Sequence, residues 1–193
     1  MRATTALIFP LILAAAACGS TAPDTAPTAE ASETLPMDAA PMDAPSAAPT
    51  RAVATLRTAD GKDAGTVTLL PAGERMRLAV QVKGLPAGEH GIHVHAVGKC
   101  EGPRFESAGS HWNPTAKKHG LANPDGPHAG DIPSLTVGED GSGIVNTTLG
   151  GTVADRLDAD GAAVVIHARR DDGKSDPSGD SGDRIACAVL TAS

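Results

Sequence analysis

The 193-residue sequence is poor in aromatic side chains, with two Phe, one Trp and no Tyr. It shows almost no apolar spacing of three or four residues, so a helical architecture is not expected. Its basic residues form no cluster along the chain, which argues against a nucleic-acid partner. Against these absences stand seven histidines, three of them in the stretch HGIHVH at 90–95. This concentration points to a function for the imidazoles.

The first 18 residues, MRATTALIFPLILAAAAC, have the pattern of a secretory signal. One arginine precedes a short apolar run, and small residues follow up to Cys18. The run is too short to span a membrane comfortably, and Pro10 interrupts it. Cys18 follows four alanines and resembles the lipobox of bacterial lipoproteins, whose cysteine becomes the lipidated first residue. We therefore expect export to the periplasm or cell envelope with a lipid anchor on Cys18, while ordinary cleavage and free secretion stay open.

Residues 19–50 contain Ala, Pro, Thr, Ser and five acidic residues but no Lys or Arg. Such a segment cannot bury enough apolar surface to offset the entropy of ordering its backbone. The composition predicts a disordered, acidic, Pro-rich tether. The whole chain has a net charge of −7, whereas residues 51–193 carry 15 basic and 18 acidic residues, a net charge of −3.

Residues 51–193 are long enough for one domain with a sizeable core. Short β-rich runs alternate there with breakers such as ADGKD, GLPAGE and GEDGS. This pattern predicts an all-β sandwich or barrel with antiparallel strands. Two segments between the runs, 97–133 and 170–183, are longer than most connections in compact folds, and such loops are usually functional or disordered. The eight runs are 51–58, 65–70, 76–83, 91–96, 134–139, 143–149, 162–169 and 184–190.

If HGIHVH is a strand, the alternation of its side chains between the two faces determines which histidines can bind a metal together. Side chains alternate between faces, so Ile92 and Val94 would enter the core while His93 and His95 point the other way. The two imidazoles could then converge on one ion outside the core. His90 has the wrong parity and is followed by Gly91. We interpret His90 as a polar residue at the strand entry rather than a ligand.

Further histidines follow in the first long loop. His111, His119 and His128 occur at similar intervals, and Asp131 follows three residues after the last. Three imidazoles and one carboxylate are a plausible tetrahedral zinc set. His167 ends an apolar strand, where a buried imidazole needs a partner. Any one of these histidines alone could be an ordinary surface or hydrogen-bonded residue, but chance is a poor explanation for the whole set.

Together the motifs HGIHVH, GKCEG, AGSHWNP, KKHG, PHAGD, VVIHARRDD and GDRIACAVL resemble copper–zinc superoxide dismutase of the bacterial exported type. They occur in the family's order, and the resemblance covers 51–193. It implies an eight-stranded antiparallel Greek-key β-barrel with two long functional loops. It also implies one copper and one zinc per subunit, and conversion of superoxide to oxygen and hydrogen peroxide by Cu(II)/Cu(I) cycling.

The resemblance assigns roles to individual residues. Asp171 would accept hydrogen bonds from one copper and one zinc histidine, although Asp172 beside it leaves a simple loop acid open. Arg184 would attract superoxide at the mouth of the copper channel, and Cys100 would pair with Cys187 in a disulfide. The implied copper ligands are His93, His95, His111 and His167, and the implied zinc ligands are His111, His119, His128 and Asp131, with His111 bridging and also taking up and returning a proton.

Two alternatives stay open from the sequence. One is a non-catalytic copper- or zinc-binding or buffering domain on a membrane tether, which would be expected to lack Arg184 or a copper ligand; this chain lacks neither. The other is an adhesive β-sandwich with zinc alone, which leaves three histidines unexplained. The pattern of strands does not distinguish a monomer from a homodimer.

Overall fold

A computed structural model describes residues 51–157 and 160–191. The predicted signal, the predicted tether and Cys18 lie outside the described residues. Within them, no helix is long and apolar enough to cross a membrane. The regular secondary structure of the described residues is almost entirely β-strand, as the alternating sequence pattern predicts.

Within the described ranges 51–157 and 160–191, nine strands, one α-helical turn and one 3-10 turn follow each other. Each of the eight predicted runs contains a strand, so the all-β antiparallel prediction is confirmed. The strands are β1 Ala52–Thr58, β2 Asp63–Ala72, β3 Arg75–Val82, β4 Gly88–His90, β5 Ile92–His95, β6 Leu135–Val137, β7 Gly143–Gly150, β8 Ala162–His167 and β9 Arg184–Leu190. The helical turn is α1, Val153–Arg156, and a single 3-10 turn covers Glu106–Ala108.

Two sheets share one core. The larger has seven strands in the order β5-β8-β9-β1-β2-β3-β7, and β4 pairs with β6 in the smaller. All pairings are antiparallel, and the chain crosses from β3 to β4 and β5 before β7 returns to β3. These long returns between neighbouring strands are the connections of a Greek key. The side chains inside include Leu56, Leu69, Leu78, Ile92 and Leu190, all buried.

The run predicted at 91–96 differs from the observed strands. Its extended segment begins at Gly88 and divides at Gly91 into β4 and β5. β4 pairs with β6, whereas β5 pairs with β8, so the two halves have different partners. The helical turn α1 was not predicted, because four residues are too few to display a helical period. Thr152 and Asp155 nevertheless form a reciprocal capping box at its start.

β8 is buried on both faces, which explains its continuous apolar run. Val164 and Ile166 face the core, while Ala163 and Val165 pack against Phe105 from the first long loop. The Cys100–Cys187 disulfide belongs to this second cluster and joins the loop to β9. The predicted pairing is therefore confirmed. Its ends are 87 residues apart, so it stabilises the fold by about 4–5 kcal/mol in the chain-entropy account.

Candidate metal centre

The centre begins on β5, where strand parity separates two pairs of side chains. Ile92 and Val94 enter the core, and His93 and His95 lie on the opposite face. The sequence analysis placed these histidines outside the core, which holds, but they are also fully buried. The first long loop covers them, a contact distant in sequence that strand parity does not reveal.

Backbone hydrogen bonds attach that loop to the free edge of β5. Val94 donates to the Gly130 carbonyl at 2.9 Å, and Trp112 donates to the Val94 carbonyl at 2.8 Å. A Cβ at Gly130 would lie 2.2 Å from the Val94 oxygen, so only glycine permits this approach. The pairing sets His95 opposite His111, and His93 opposite Asp131. Residues far apart in the sequence are thus brought to one point.

Three of the predicted copper ligands each have one ring nitrogen fixed by a hydrogen bond. His93 Nε2 donates to Asp171 Oδ2 at 2.7 Å. His95 Nδ1 donates to the Gly109 carbonyl at 2.9 Å, and His167 Nδ1 donates to the Gly182 carbonyl at 3.0 Å. These bonds fix the ring orientation and leave a lone pair on the other nitrogen.

The remaining nitrogens converge. Within the described residues, His93 Nδ1 and the Nε2 atoms of His95, His111 and His167 are buried without a hydrogen-bond partner. One ligand atom from each of these four residues lies within 4.8 Å of the others. Buried polar atoms normally have partners, so four such atoms together need an explanation. An imidazole-binding metal ion such as copper would satisfy all four.

The low pKa values of His93, His95 and His167 correspond to neutral imidazoles at neutral pH. Burial lowers the pKa of His93 to about 3, despite its hydrogen bond to Asp171. Burial likewise lowers the pKa of His95 to about 2 and that of His167 to about 4. A neutral imidazole is the form that binds a metal. This half of the centre therefore needs to lose no proton from these three rings at neutral pH.

The predicted zinc ligands surround Asp131 Oδ1. This oxygen lies 2.9 Å from His111 Nδ1, 3.1 Å from His119 Nδ1 and 3.4 Å from His128 Nδ1. The Nδ1 atoms of His111 and His128 are 3.4 Å apart. With bonds of about 2.0–2.1 Å, tetrahedral zinc has ligand atoms about 3.3 Å apart. These four distances are close to that value. The group whose ligand atoms all lie within 4.8 Å of one another, however, consists of His93, His111, His119 and Asp131 and does not include His128.

The second oxygen of Asp131 is held by the backbone. Oδ2 accepts from the amides of Gly120 at 2.8 Å and His128 at 2.9 Å. Burial alone would raise the pKa of Asp131, but the hydrogen bond from His111, the close approach of the His119 ring and the hydrogen bond from the Gly120 amide keep its pKa well below the usual range. The carboxylate is therefore ionised and presents Oδ1 to the ligand group.

His119 differs from the copper-side histidines. Burial opposes its protonation, but the carboxylates of Asp131 and Asp171 outweigh burial and raise the pKa of His119 to about 9. Its Nδ1 lies beside Asp131, and its Nε2 lies 3.0 Å from Asp171 Oδ1. Without a metal, the ring is an imidazolium between two carboxylates. A metal at Nδ1 would replace one of its protons.

Asp171 connects the two groups of ligands. It accepts from His93 Nε2 and from His119 Nε2, which belong to different predicted metal sites. Its neighbour Asp172 instead accepts from Lys174, Ser175 and the Ser175 hydroxyl within the same loop. The structure therefore separates two acids that the sequence alone left ambiguous.

Arg184 lies at the entrance to the ligand cluster. Its Nη1 donates to the Phe105 carbonyl at 2.6 Å and its Nη2 to the Gly109 carbonyl at 2.7 Å. A cavity of about 500 Å³ is lined by Arg184 together with His111, His128 and His167. A fixed, half-buried cation thus shares an open cavity with three candidate ligands.

Comparison with known proteins decides the family. The model of the copper/zinc superoxide dismutase family (SODC) matches residues 63–190. The chain belongs to this family. The Cu-Zn superoxide dismutase of Caulobacter vibrioides is 41% identical over 147 residues, covering 72% of this chain and 84% of that protein. The predicted family and its enzyme class, the fold and the copper and zinc cofactors are confirmed.

Solved structures of the superoxide dismutase family agree with this assignment. A SOD-like protein from Bacillus subtilis superposes with a TM-score of 0.65 at 37% identity, covering 72% of this chain and 97% of that chain. The Cu/Zn superoxide dismutase of Brucella abortus gives 0.60 at 26% identity, covering 72% and 99%. Because the first of these is described only as SOD-like, the role of this chain must be argued from its own candidate ligands rather than from its fold.

Two further features of this superoxide dismutase family member go beyond the sequence analysis. His90 is buried, and its ring nitrogens contact the His167 carbonyl at 2.7 Å and the Pro86 carbonyl at 2.9 Å. It therefore fixes the backbone of a predicted copper ligand.

Several positively charged loop residues form ion pairs with acidic residues, so they contribute less to the electrostatic field at the cavity. These pairs are Arg104 with Glu106, Lys118 with Asp176 and Arg170 with Glu89.

Proposed function

We propose that this chain is an exported superoxide dismutase that holds one copper and one zinc and converts superoxide to oxygen and hydrogen peroxide. One observation carries the proposal: four buried imidazole nitrogens without hydrogen-bond partners among the described residues converge beside a fixed arginine. Family membership supports the same activity. A domain that only stores metal has no need for the arginine.

The ligand atoms follow from the hydrogen bonds. Copper would be held by His93 Nδ1 and by Nε2 of His95, His111 and His167, the atoms that no other described group satisfies. Zinc would be held by Nδ1 of His111, His119 and His128 and by Asp131 Oδ1, which lies 2.9, 3.1 and 3.4 Å from these three nitrogens. When bound, copper supplies the one-electron redox chemistry that no side chain here provides.

The protein's own residues transfer the proton, attract the anion and orient the ligands. His111 presents Nδ1 to Asp131 and Nε2 to the copper group, so Nε2 can take up a proton and return it while Nδ1 stays in place. Arg184 is held by two carbonyls at the cavity, where it attracts a small anion. Such focused fields raise association rates by about 10–1,000-fold. Asp171 holds one ring of each metal group in a fixed tautomer.

The test is superoxide decay catalysed by the full chain loaded with one copper and one zinc. We expect rapid decay, and at low ionic strength Arg184→Ala should reduce the rate at least about tenfold. Arg184→Lys is the matched control, because it keeps the charge but loses the two-pronged contact with the carbonyls. The deficit of Arg184→Ala should shrink as salt is added, since salt screens the field. Decay no faster than that caused by free copper, with both metals bound, would refute the proposal and leave a non-catalytic metal-binding domain.

The proposal includes the organisation of the chain: a signal at 1–18, a tether at 19–50 and the dismutase domain at 51–193, with a lipid on Cys18. The composition of residues 1–50 supports it. The Cys100–Cys187 disulfide also supports it, because such bonds persist in oxidising compartments outside the cytoplasm. Mass spectrometry of the mature N-terminus tests the anchor. An unmodified terminus downstream of Cys18 would refute lipidation.

A further inference from the structure

We propose that Asp176 is a positioning residue for zinc: it fixes the backbone of His119 from the opposite loop and thereby strengthens zinc binding. The inference rests on the proposed zinc ligands. Asp176 Oδ1 accepts from the His119 backbone amide at 2.7 Å. The two residues are 57 positions apart, so this contact joins the two long loops.

The position of the His119 ring nitrogens depends on the backbone of this residue as well as on the contacts of the ring. Its Nε2 is held by Asp171, but a ring fixed at one nitrogen can still swing if the backbone moves. Asp176 removes that freedom at the amide, and Asn123 Nδ2 donates to the His119 carbonyl at 2.9 Å. Both backbone polar groups of this ligand are therefore bound by side chains. Outer contacts of this kind typically contribute 10–100-fold to metal affinity.

The surrounding contacts show that the two loops meet closely here. Ala122 donates to the Gly173 carbonyl at 3.0 Å, and Asn123 Nδ2 also donates to the Lys174 carbonyl at 3.1 Å. Gly120, at φ +109°, could not carry a Cβ, because that atom would lie 1.9 Å from the Gly173 oxygen. Asp176 is thus one of several contacts across this junction, and it is the one made to the amide of a proposed ligand.

The second oxygen of Asp176 has a different role. Oδ2 lies 2.9 Å from Lys118 Nζ, with side-chain exposures of 41% and 62%. An ion pair so open to solvent contributes little. We therefore assign the effect on zinc to the amide contact rather than to the ion pair.

The experiment measures zinc affinity and the rate of zinc release to a chromophoric chelator, using the full chain with copper bound. Asp176→Ala should weaken zinc binding about tenfold, the lower end for such contacts, and leave copper affinity unchanged. Asp176→Asn keeps an oxygen acceptor, so it should stay within about threefold of the parent. Lys118→Met should change zinc affinity less than about twofold.

Asp172→Ala is the matched control. Asp172 lies in the same loop and carries the same charge, but the side-chain hydrogen bonds described for it stay within the loop. It should therefore leave zinc affinity near that of the parent. The inference is overturned if Asp176→Ala matches the parent, if Asp172→Ala causes the same loss, or if Lys118→Met reproduces the whole effect. If His128→Ala binds zinc as tightly as the parent, the proposed zinc site itself is wrong, and this inference fails with it.

Discussion

The proposed copper half and the proposed zinc half of the centre hold imidazoles in different ways. His93, His95 and His167 stand on strands β5 and β8, and two of them donate to backbone carbonyls. His119 and His128 stand on a loop and face the carboxylate of Asp131. The strand-borne rings are neutral because they are buried, whereas His119 is cationic because two carboxylates surround it. In the metal-free chain, these three histidines are already in the neutral form that binds a metal, whereas His119 must lose a proton before it can do so.

The comparison implies that the two halves can be disabled separately. We expect His95→Ala to reduce copper affinity more than about 100-fold, beyond the range for outer contacts, and to reduce superoxide decay to that of free copper. Zinc content should be unchanged. His128→Ala is the counterpart and should remove zinc while copper stays bound. Metal analysis after dialysis checks both variants. Loss of both metals from either variant would show that the halves are not independent.

Asp171 is the exception to this separation, because it contacts one ring in each half. Asp171→Asn replaces the carboxylate that accepts hydrogen bonds from His93 Nε2 and His119 Nε2 with an amide, which has only one acceptor oxygen. We expect both copper and zinc affinity to fall by about 10–100-fold. Competition with chelators specific for each metal measures the two effects, and Asp172→Asn is the control. A loss confined to one metal would argue against a shared carboxylate.

The third expected effect concerns pH. In the metal-free chain, His119 with a pKa of about 9 carries a proton that zinc must displace. Zinc affinity should therefore rise about tenfold per pH unit below pH 9 and level off above it. The pKa values of His93, His95 and His167 are about 3, 2 and 4, so these rings impose no such dependence on copper above about pH 5. Calorimetric titrations at several pH values test this. Equal slopes for both metals would contradict the difference in protonation.

Much of the fold could be predicted because a strand pattern is local. The strand pattern identified every described strand except β4, and parity placed His93 and His95 opposite Ile92 and Val94. The division at Gly91 could not be predicted, because it reflects which strands pair on either side. The helical turn α1 was too short to leave a periodic signal.

Less of the candidate site than of the fold could be predicted from short-range sequence patterns. Spacing indicated a zinc set in one loop, but the prediction that His111 bridges the two metals came only from resemblance to a family. The burial of His93 and His95, the choice of Asp171 over Asp172 and the contact of Asp176 with His119 all depend on where two loops meet. The signals available for such contacts were weak: an acid four residues after His167, and a DP step in the second loop.

The most direct measurement is a crystal structure of the copper- and zinc-loaded chain, with anomalous scattering recorded at both metal edges. The account predicts a copper peak at His93 Nδ1 and the Nε2 atoms of His95, His111 and His167. It predicts a zinc peak at the Nδ1 atoms of His111, His119 and His128 and at Asp131 Oδ1. A single peak, or a copper peak away from His93 and His95, would contradict the shared two-metal centre.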